Sequence, residues 1–461
     1  MTSRHWWGAE LLGRGPADEI WAVGGRAVTH AELRTRVAEQ ERIFAAHGVG
    51  PGTTVALHTL PSFTTLWTLF GLWARGAQVA LFDSRLKRAE IDTLLALTEP
   101  EVFVSFDGPG RVLSPFRDEC EVVVRRRRGG RPAATPHVLV QFSSGSTGAP
   151  KVIGRTAGAL LAEIDRFAAI DDMPGRGDTV LLLNSIIHSL GLVGGVLHGL
   201  NAGVRIVFSR SAQPRGVLDV VHGEQADALF GVPAHFALLA ATTDAAVPPR
   251  LRLAVSGGEL LAAEVFTRFR DRFGVRIGQA YGMTEVGIIA ADPAGRHDPP
   301  AVGPAVAGLR VRAEAGELHV HTGESPYLLD DGVARFRDGW LRTYDAGAVD
   351  PVSGVLTVGG RADSVVVVGG LKVDLGEIES VLRSHEEITD AVVVRSDVIE
   401  AHVATAAALS ADELTSWCRD RLAHYKIPRR FRVVADLPRT ANGKLIRNHE
   451  LLRGAYSAAH A

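Results

Sequence analysis

Short apolar runs alternate with longer amphipathic stretches over the first two thirds of the chain. Thr54-Val-Ala-Leu-His58 reads as a strand and precedes an apolar helical stretch that runs to Ala74. Ala77-Val-Ala-Leu-Phe82 reads the same way, ahead of a helix opened by Lys87-Arg-Ala-Glu90. Arg205-Ile-Val-Phe208, Ala228-Leu-Phe230 and Leu253-Ala-Val-Ser256 are each followed by a helix-like segment. Brief Val/Leu/Ile runs between helices suit strands of a parallel sheet with helices on its faces, so the rhythm predicts a doubly wound α/β architecture. The most apolar stretch, Thr179 to Phe208, is broken by Asn184, His188, His198 and Asn201. It reads as a buried strand–helix–strand unit and not as a membrane span.

Near Leu309 the pattern changes to shorter alternating strands, as in Arg310-Val-Arg-Ala and Glu317-Leu-His-Val-His321, which predicts a β-rich subdomain. From about Asp363 strand and helix signals mix again, as in a small α+β domain. At 461 residues the chain exceeds what one core carries. The expected division is a large domain over 1–361 and a small one over 362–461. Arg125 to Arg128, beside Gly129-Gly130-Arg131-Pro132, reads as a solvated linker.

Composition narrows the class without naming it. A hydrophobic content of 46% and a net charge of −2 suit a soluble enzyme and give no reason to invoke nucleic acid or membrane as partner. Two cysteines, Cys120 and Cys418, lie far apart and fit a reduced, cytoplasmic protein. Met1-Thr-Ser-Arg-His-Trp-Trp lacks a basic-then-apolar signal pattern.

Chemistry enters with Phe142-Ser-Ser-Gly-Ser-Thr-Gly-Ala-Pro-Lys151, which follows the apolar run His137-Val-Leu-Val-Gln141. Gly145 and Gly148 let successive backbone N–H groups turn into one concavity, Ser143, Ser144, Ser146 and Thr147 add neutral donors, and Lys151 adds a point charge. Such a loop suits a polyanion. It is not the common P-loop, because Pro150 and Val152 flank the lysine where Gly and a hydroxyl residue would stand. Only five of the fifty basic residues are lysine, at 87, 151, 372, 426 and 444. Where arginine supplies generic charge, a lysine becomes a candidate for a compact, flexible ammonium. Lys151 and Lys444, flanked by Gly and hydroxyl residues, qualify; Lys87 and Lys426 have no such context.

In order, the 142–151 loop, Ala280-Tyr-Gly-Met-Thr-Glu285, Asp338-Gly-Trp-Leu-Arg-Thr-Tyr-Asp345, Gly360-Arg-Ala-Asp363 and Pro438-Arg-Thr-Ala-Asn-Gly-Lys444 form a set. That set resembles the adenylate-forming superfamily of acyl- and aryl-CoA synthetases, carrier-protein ligases, adenylation domains and luciferases. Gly71-Leu-Trp-Ala-Arg-Gly-Ala77 and Leu422-Ala-His-Tyr-Lys-Ile-Pro428 extend the likeness over nearly the whole chain.

The resemblance implies two half-reactions: a carboxylate attacks the α-phosphate of ATP and releases pyrophosphate, then an acceptor, usually a thiol, takes the acyl group. It assigns the 142–151 loop to the β- and γ-phosphates, Thr284 to the α-phosphate and Glu285 to Mg²⁺. Tyr281 would face adenine, with Gly257 and Gly258 at its edge. Glu259, Gly282 and Met283 complete that part of the nucleotide site. Asp345 would accept from the ribose hydroxyls, with Arg361 as a second contact. Lys444 would stabilise the charge that builds during attack. Asp363 falls on the hinge about which the small domain would swing. His188, Ser256 and Ala280 would line the acyl pocket, although His188 also reads as a satisfied histidine on an apolar face.

Several positions depart from the family pattern. Tyr344 stands where Thr-Gly-Asp would have glycine, Ser364 replaces the second acidic residue after the hinge, and Val367 replaces a lysine. Tyr344 either faces solvent or crowds the ribose. Val367-Val-Gly-Gly-Leu-Lys-Val373 and Lys151-Val-Ile-Gly-Arg-Thr are similar to aryl-acid-activating members, which tilts the expected substrate towards an aromatic or unsaturated acid. No carrier motif is visible, so the expected acceptor is CoA or the phosphopantetheine of a free-standing carrier protein, with an amine or a rarer acceptor left open. Other readings are adenylation of an unusual oxyacid such as nitrite for diazo formation, and a non-catalytic adenylate-binding module suggested by Tyr344 and Ser364.

Overall fold

A parallel sheet with antiparallel strands at both edges forms the centre of the larger unit. Its strands run in the order Gly287–Asp292, Ile277–Met283, Leu253–Gly257, Ala228–Gly231, Thr179–Leu182, Arg205–Phe208, Ile20–Val23 and Ala27–Thr29. The computed structural model describes residues 6–106, 115–143, 150–243, 246–329, 335–361, 365–438, 445, 447, 449 and 452–453. A second sheet orders Val122–Arg126, Val102–Phe106, Thr54–His58, Gln78–Phe82, His137–Ser143 and Lys151–Thr156. Its pairings among Val102–Phe106, Thr54–His58, Gln78–Phe82 and His137–Ser143 are parallel. This is the doubly wound α/β arrangement that the alternating runs imply.

Helix starts follow local chemistry. Thr29 accepts from the Glu32 N–H to open His30–Ala46, and Ser62 accepts from the Thr65 N–H to open Phe63–Ala74. Every residue of Phe63–Ala74 is buried. A helix apolar on all sides belongs inside, and Phe63, Trp67, Phe70 and Trp73 fill a core shared with Val55, Leu57, Val79 and Leu81. The apolar stretch from Thr179 is indeed strand–helix–strand. The helix begins as a π-helix over Leu190–Leu197 and continues as α-helix His198–Ala202.

The basic run departs from expectation. It is no linker: Val122–Arg126 is a strand antiparallel to Val102–Phe106 at the sheet edge. The Arg126 guanidinium donates to the carbonyls of His47 and Gly48, and Arg127 donates to that of Pro100. Edge strands favour charged side chains because these discourage further pairing, so a basic sequence hides a strand here.

A third, antiparallel sheet orders Ala301–Pro304, Val355–Arg361, Trp340–Val349, Glu317–His321 and Val311–Glu314, as the shorter alternation predicts.

By contacts along the chain, one unit comprises Met1–Ser84, Thr98–Phe142 and Val152–Ala362. The other comprises Arg85–Leu97, Ser143–Lys151 and Asp363–Ala461. In the second unit, helices Leu375–Arg383 and Ala411–Arg421 pack with strands Asp390–Arg395, Ile399–Ala404 and Arg430–Val434 around Val373, Ile378, Leu382, Val393, Ala401, Leu414 and Cys418. Ser410 and Glu413 close a reciprocal cap at the start of the second helix. No helix among the described residues is long and apolar enough to cross a membrane.

Candidate active site

The carboxyl ends of the parallel strands bring the separated motifs of the larger unit together. Gly257 ends one strand and lies opposite Ala280 on the next. A Cβ at Gly257 would press against Leu190 and the Ala280 carbonyl, so only glycine lets the π-helix come this close. Leu190, Gly257 and Ala280 thus form one wall.

Past Ala280 the chain runs through half-buried Tyr281 and Gly282, then buried Met283. The Tyr281 hydroxyl donates to Asp345 Oδ2 at 2.6 Å. Asp345 is buried in strand Trp340–Val349, its N–H donates to Thr343 Oγ1 at 3.0 Å, and Arg361 is its cross-strand partner. The Tyr281 ring and the Asp345 carboxylate therefore lie side by side, although 64 positions separate them in sequence.

Glu285 turns inward. Its side chain is only 1% exposed, and Oε1 accepts from the Tyr327 hydroxyl at 3.1 Å and lies 3.4 Å from Arg335 Nη1. Burial, and then the Glu285 charge, push the Tyr327 phenol up from its ordinary pKa. The strand that follows Glu285, Gly287–Asp292, is anchored as well. Glu163, paired with Arg155 at 2.7 Å and buried, accepts from the Ile288 N–H at 3.1 Å.

Thr284 and Glu285 are adjacent hard-oxygen donors. No cluster of three or more His, Cys, Asp or Glu among the described residues could hold a metal by itself. One carboxylate and one hydroxyl fit Mg²⁺ in the manner usual for nucleotide enzymes, where substrate phosphates and water complete the octahedron.

Tyr344 adopts φ +59°, the left-handed region that glycine occupies freely. Its side chain is half buried. It lies between two guanidinium groups, Arg335 at 4.6 Å and Arg342 at 4.8 Å from the ring centre.

His188 is half exposed, with Nε2 3.9 Å from Asp83 Oδ2, so it is not a core histidine on an apolar face. Gln141 steadies its segment by donating to the Ile187 carbonyl at 2.7 Å. Ser256 is placed differently from Ala280. Val255 belongs to the core that holds Ala280, whereas Ala254 belongs to the core built on helices Pro214–Gly223 and Ala263–Phe273. Strand alternation puts Ser256 on the Ala254 face, away from the Leu190 wall.

Ser143 and Lys151 are buried at the ends of their strands, Gly258 has φ +87°, and Glu259 is half buried. Ser144, Gly145, Ser146, Thr147, Gly148, Asp363 and Lys444 lie outside the described residues, as does the side chain of Arg361. Sequence reasoning missed Arg335, Tyr327, Glu163 and Asp83. Arg335 stands among other arginines in Arg335-Phe-Arg-Asp-Gly-Trp-Leu-Arg342, and nothing local sets it apart.

Comparison with known proteins identifies the family and the fold. Residues 13–324 match the family model for AMP-binding enzymes, and 377–444 match that for the AMP-binding enzyme C-terminal domain. A feruloyl-CoA synthase from Amycolatopsis sp is 28% identical over 92% of this chain and 93% of its own length. A benzoate–CoA ligase from Thauera aromatica is 30% identical over 68% of this chain and 65% of its own length. A solved structure of o-succinylbenzoate CoA synthetase from Bacillus subtilis has the same fold, with a TM-score of 0.83 at 23% identity over 96% of this chain and 98% of that one. With its motifs in family order and most of its length matched, this chain belongs to the AMP-binding, adenylate-forming enzymes.

Proposed function

We propose that this protein is an ATP-dependent, AMP-forming acid–thiol ligase. It activates a carboxylic acid, aromatic or unsaturated, as an acyl-adenylate and passes the acyl group to the thiol of CoA. In the first step a carboxylate oxygen bonds to the α-phosphorus and the bond to pyrophosphate breaks. In the second, thiol sulfur bonds to the acyl carbon and AMP leaves. Relatives named for feruloyl and benzoyl transfer to CoA support the aromatic class and the acceptor. The phosphopantetheine of a free-standing carrier protein is the other thiol the reading allows.

The observation that carries this reading is the meeting of Gly257, Tyr281, Glu285 and Asp345 at the strand ends, although they come from three stretches of sequence. Tyr281 offers a flat face to adenine, and its hydroxyl fixes Asp345 so that the carboxylate can accept from both ribose hydroxyls. Thr284 donates to the α-phosphate. Bound at Thr284 and Glu285, Mg²⁺ supplies charge neutralisation for the triphosphate. Lys444 stabilises the anionic transition state, the loop from Ser143 to Lys151 holds the leaving pyrophosphate, and Asp363 is the hinge. Leu190, Ala280 and His188 bound the acyl pocket.

Pyrophosphate release with a panel of benzoates, cinnamates, fatty acids, amino acids and nitrite, each alone and then with CoA, tests the reading. Release that depends on an aromatic or unsaturated acid, and that turns over faster with CoA, is expected. Release with nitrite alone would replace the substrate class. ATP binding without release for any acid would leave a binding module.

A further inference from the structure

Glu285 poses an electrostatic problem in this fold. A carboxylate almost fully out of water is costly unless paired, and a triphosphate brought towards it adds like charge. Among the described residues, the cationic partner in place is Arg335, whose side chain is 5% exposed and whose Nη1 lies 3.4 Å from Glu285 Oε1. Its Nη2 donates to the Thr343 carbonyl at 3.1 Å, so the guanidinium is aimed by the strand that carries Asp345.

Tyr344 completes the bracket. A bulky residue is strained at φ +59°, so something must retain it there. Its N–H donates to Glu317 Oε1 at 3.1 Å, and Glu317 also pairs with Arg342 at 2.6 Å. The Tyr344 ring, between Arg342 and Arg335, then covers the guanidinium that faces Glu285. Glu317, Arg342, Tyr344, Arg335, Glu285 and Tyr327 form a continuous stack.

We propose that Arg335 is a positioning residue that neutralises Glu285 in the nucleotide-free site, so that the triphosphate enters with little dependence on its divalent cation. Tyr344 is the support that keeps Arg335 in place. This rests on the reading that ATP binds beside Glu285, and it goes beyond that reading by assigning work to two residues outside the motif pattern.

The test is nucleotide affinity of the full chain by calorimetry, with ATP in Mg²⁺ and in EDTA at one mildly alkaline pH, and with AMP as the check on folding. For the native protein the two ATP affinities should fall within about tenfold of each other. In Arg335→Met, affinity in EDTA should drop by a further tenfold or so, with a much smaller change in Mg²⁺. Arg335→Lys should stay close to native, and Arg335→Met combined with Glu285→Gln should recover binding in EDTA because no carboxylate is left to repel. Tyr344→Phe should behave as native, and Tyr344→Ala should move part of the way towards Arg335→Met. Equal losses in both conditions, or no recovery in the double variant, overturn the role of Arg335 while AMP binding keeps the parent reading intact. Failure of the native protein to bind ATP or AMP at all overturns both.

Discussion

The Tyr281 hydroxyl donates to Asp345 Oδ2 at 2.6 Å, joining residues from two different sheets of the larger unit at the point where adenosine is proposed to sit. A hydrogen bond to a charged group contributes about 1.5–3 kcal/mol. Tyr281→Phe keeps the aromatic face but frees Asp345 to rotate. AMP affinity should fall by about tenfold, whereas ATP and AMP should lose equally because no phosphate contact is touched. Isothermal calorimetry with both ligands reads this out, and a loss confined to ATP would contradict the placement of Tyr281.

Gly287 and Glu163 make a second, purely structural prediction. Gly287 has φ +86°, and a Cβ there would land on the Glu163 carboxylate, which is already bonded to Arg155 and the Ile288 N–H. Gly287→Ala must displace a buried ion pair and hold alanine in the left-handed region. A destabilisation of about 3–5 kcal/mol is expected from the ion pair, and the damage should reach nucleotide binding because Thr284 and Glu285 lie just before this turn. Thermal unfolding and ATP affinity should both worsen; unchanged values in either would show that the hairpin relaxes at no cost.

How much of this was legible beforehand depends on whether the information is local. Arg205–Phe208 and the other strands of the parallel sheet could be read because an apolar run shows itself in consecutive residues. The motif strings could be read for the same reason. Arg335 and Glu285 are 50 positions apart and Ile288 and Glu163 are 125 apart, so no window contains either pair. Tyr344 was visible as a departure, yet only the backbone angle explains why glycine is usual there and only the two arginines explain why tyrosine is tolerated. Arg125 and Arg126 look like solvated linker in sequence because an edge strand and a linker both expose charge.

Acid sensitivity should originate in buried histidines. Burial lowers His235 from 6.5 to about 4, and its Nδ1 accepts from the Val232 N–H at 3.2 Å. A histidine depressed in the native state contributes stability that is present above its unfolded value and is lost as pH falls through the native one. His58, also lowered by burial to about 4, acts in the same direction. Stability should therefore fall between pH 6.5 and about 4. His235→Asn keeps an acceptor for Val232 without a titrating ring, and its melting temperature should fall less steeply over that window. Parallel profiles for the two proteins would assign the acid loss elsewhere.

Lys426, which nothing in its local sequence sets apart, is buried between two carboxylates. Its ammonium donates to Glu90 at 2.7 Å and to Glu377 at 2.8 Å, within the unit that joins Arg85–Leu97 to Asp363–Ala461. Burial opposes its charge, but Glu377, Tyr425 and Glu90 outweigh that and hold its pKa above the ordinary value. One ammonium cannot neutralise two carboxylates, and burial pushes Glu377 up despite Lys426. A compact tetrahedral donor suits this place better than a planar fork, which explains a lysine in an arginine-rich chain. Removing it in Lys426→Met leaves two facing carboxylates at a local cost of about 3–5 kcal/mol. Hydrogen exchange should accelerate together in helices Arg88–Thr98 and Leu375–Arg383, since one side chain ties both. Glu377 is raised in the native state, so its protonated form favours folding and that contribution is lost as pH rises through its native pKa. The deficit of Lys426→Met should accordingly shrink on acidification, and adding Glu377→Gln should recover much of it at neutral pH. Acceleration in one helix alone, or a deficit that grows as pH falls, would show that Lys426 does not bind the two elements into one unit.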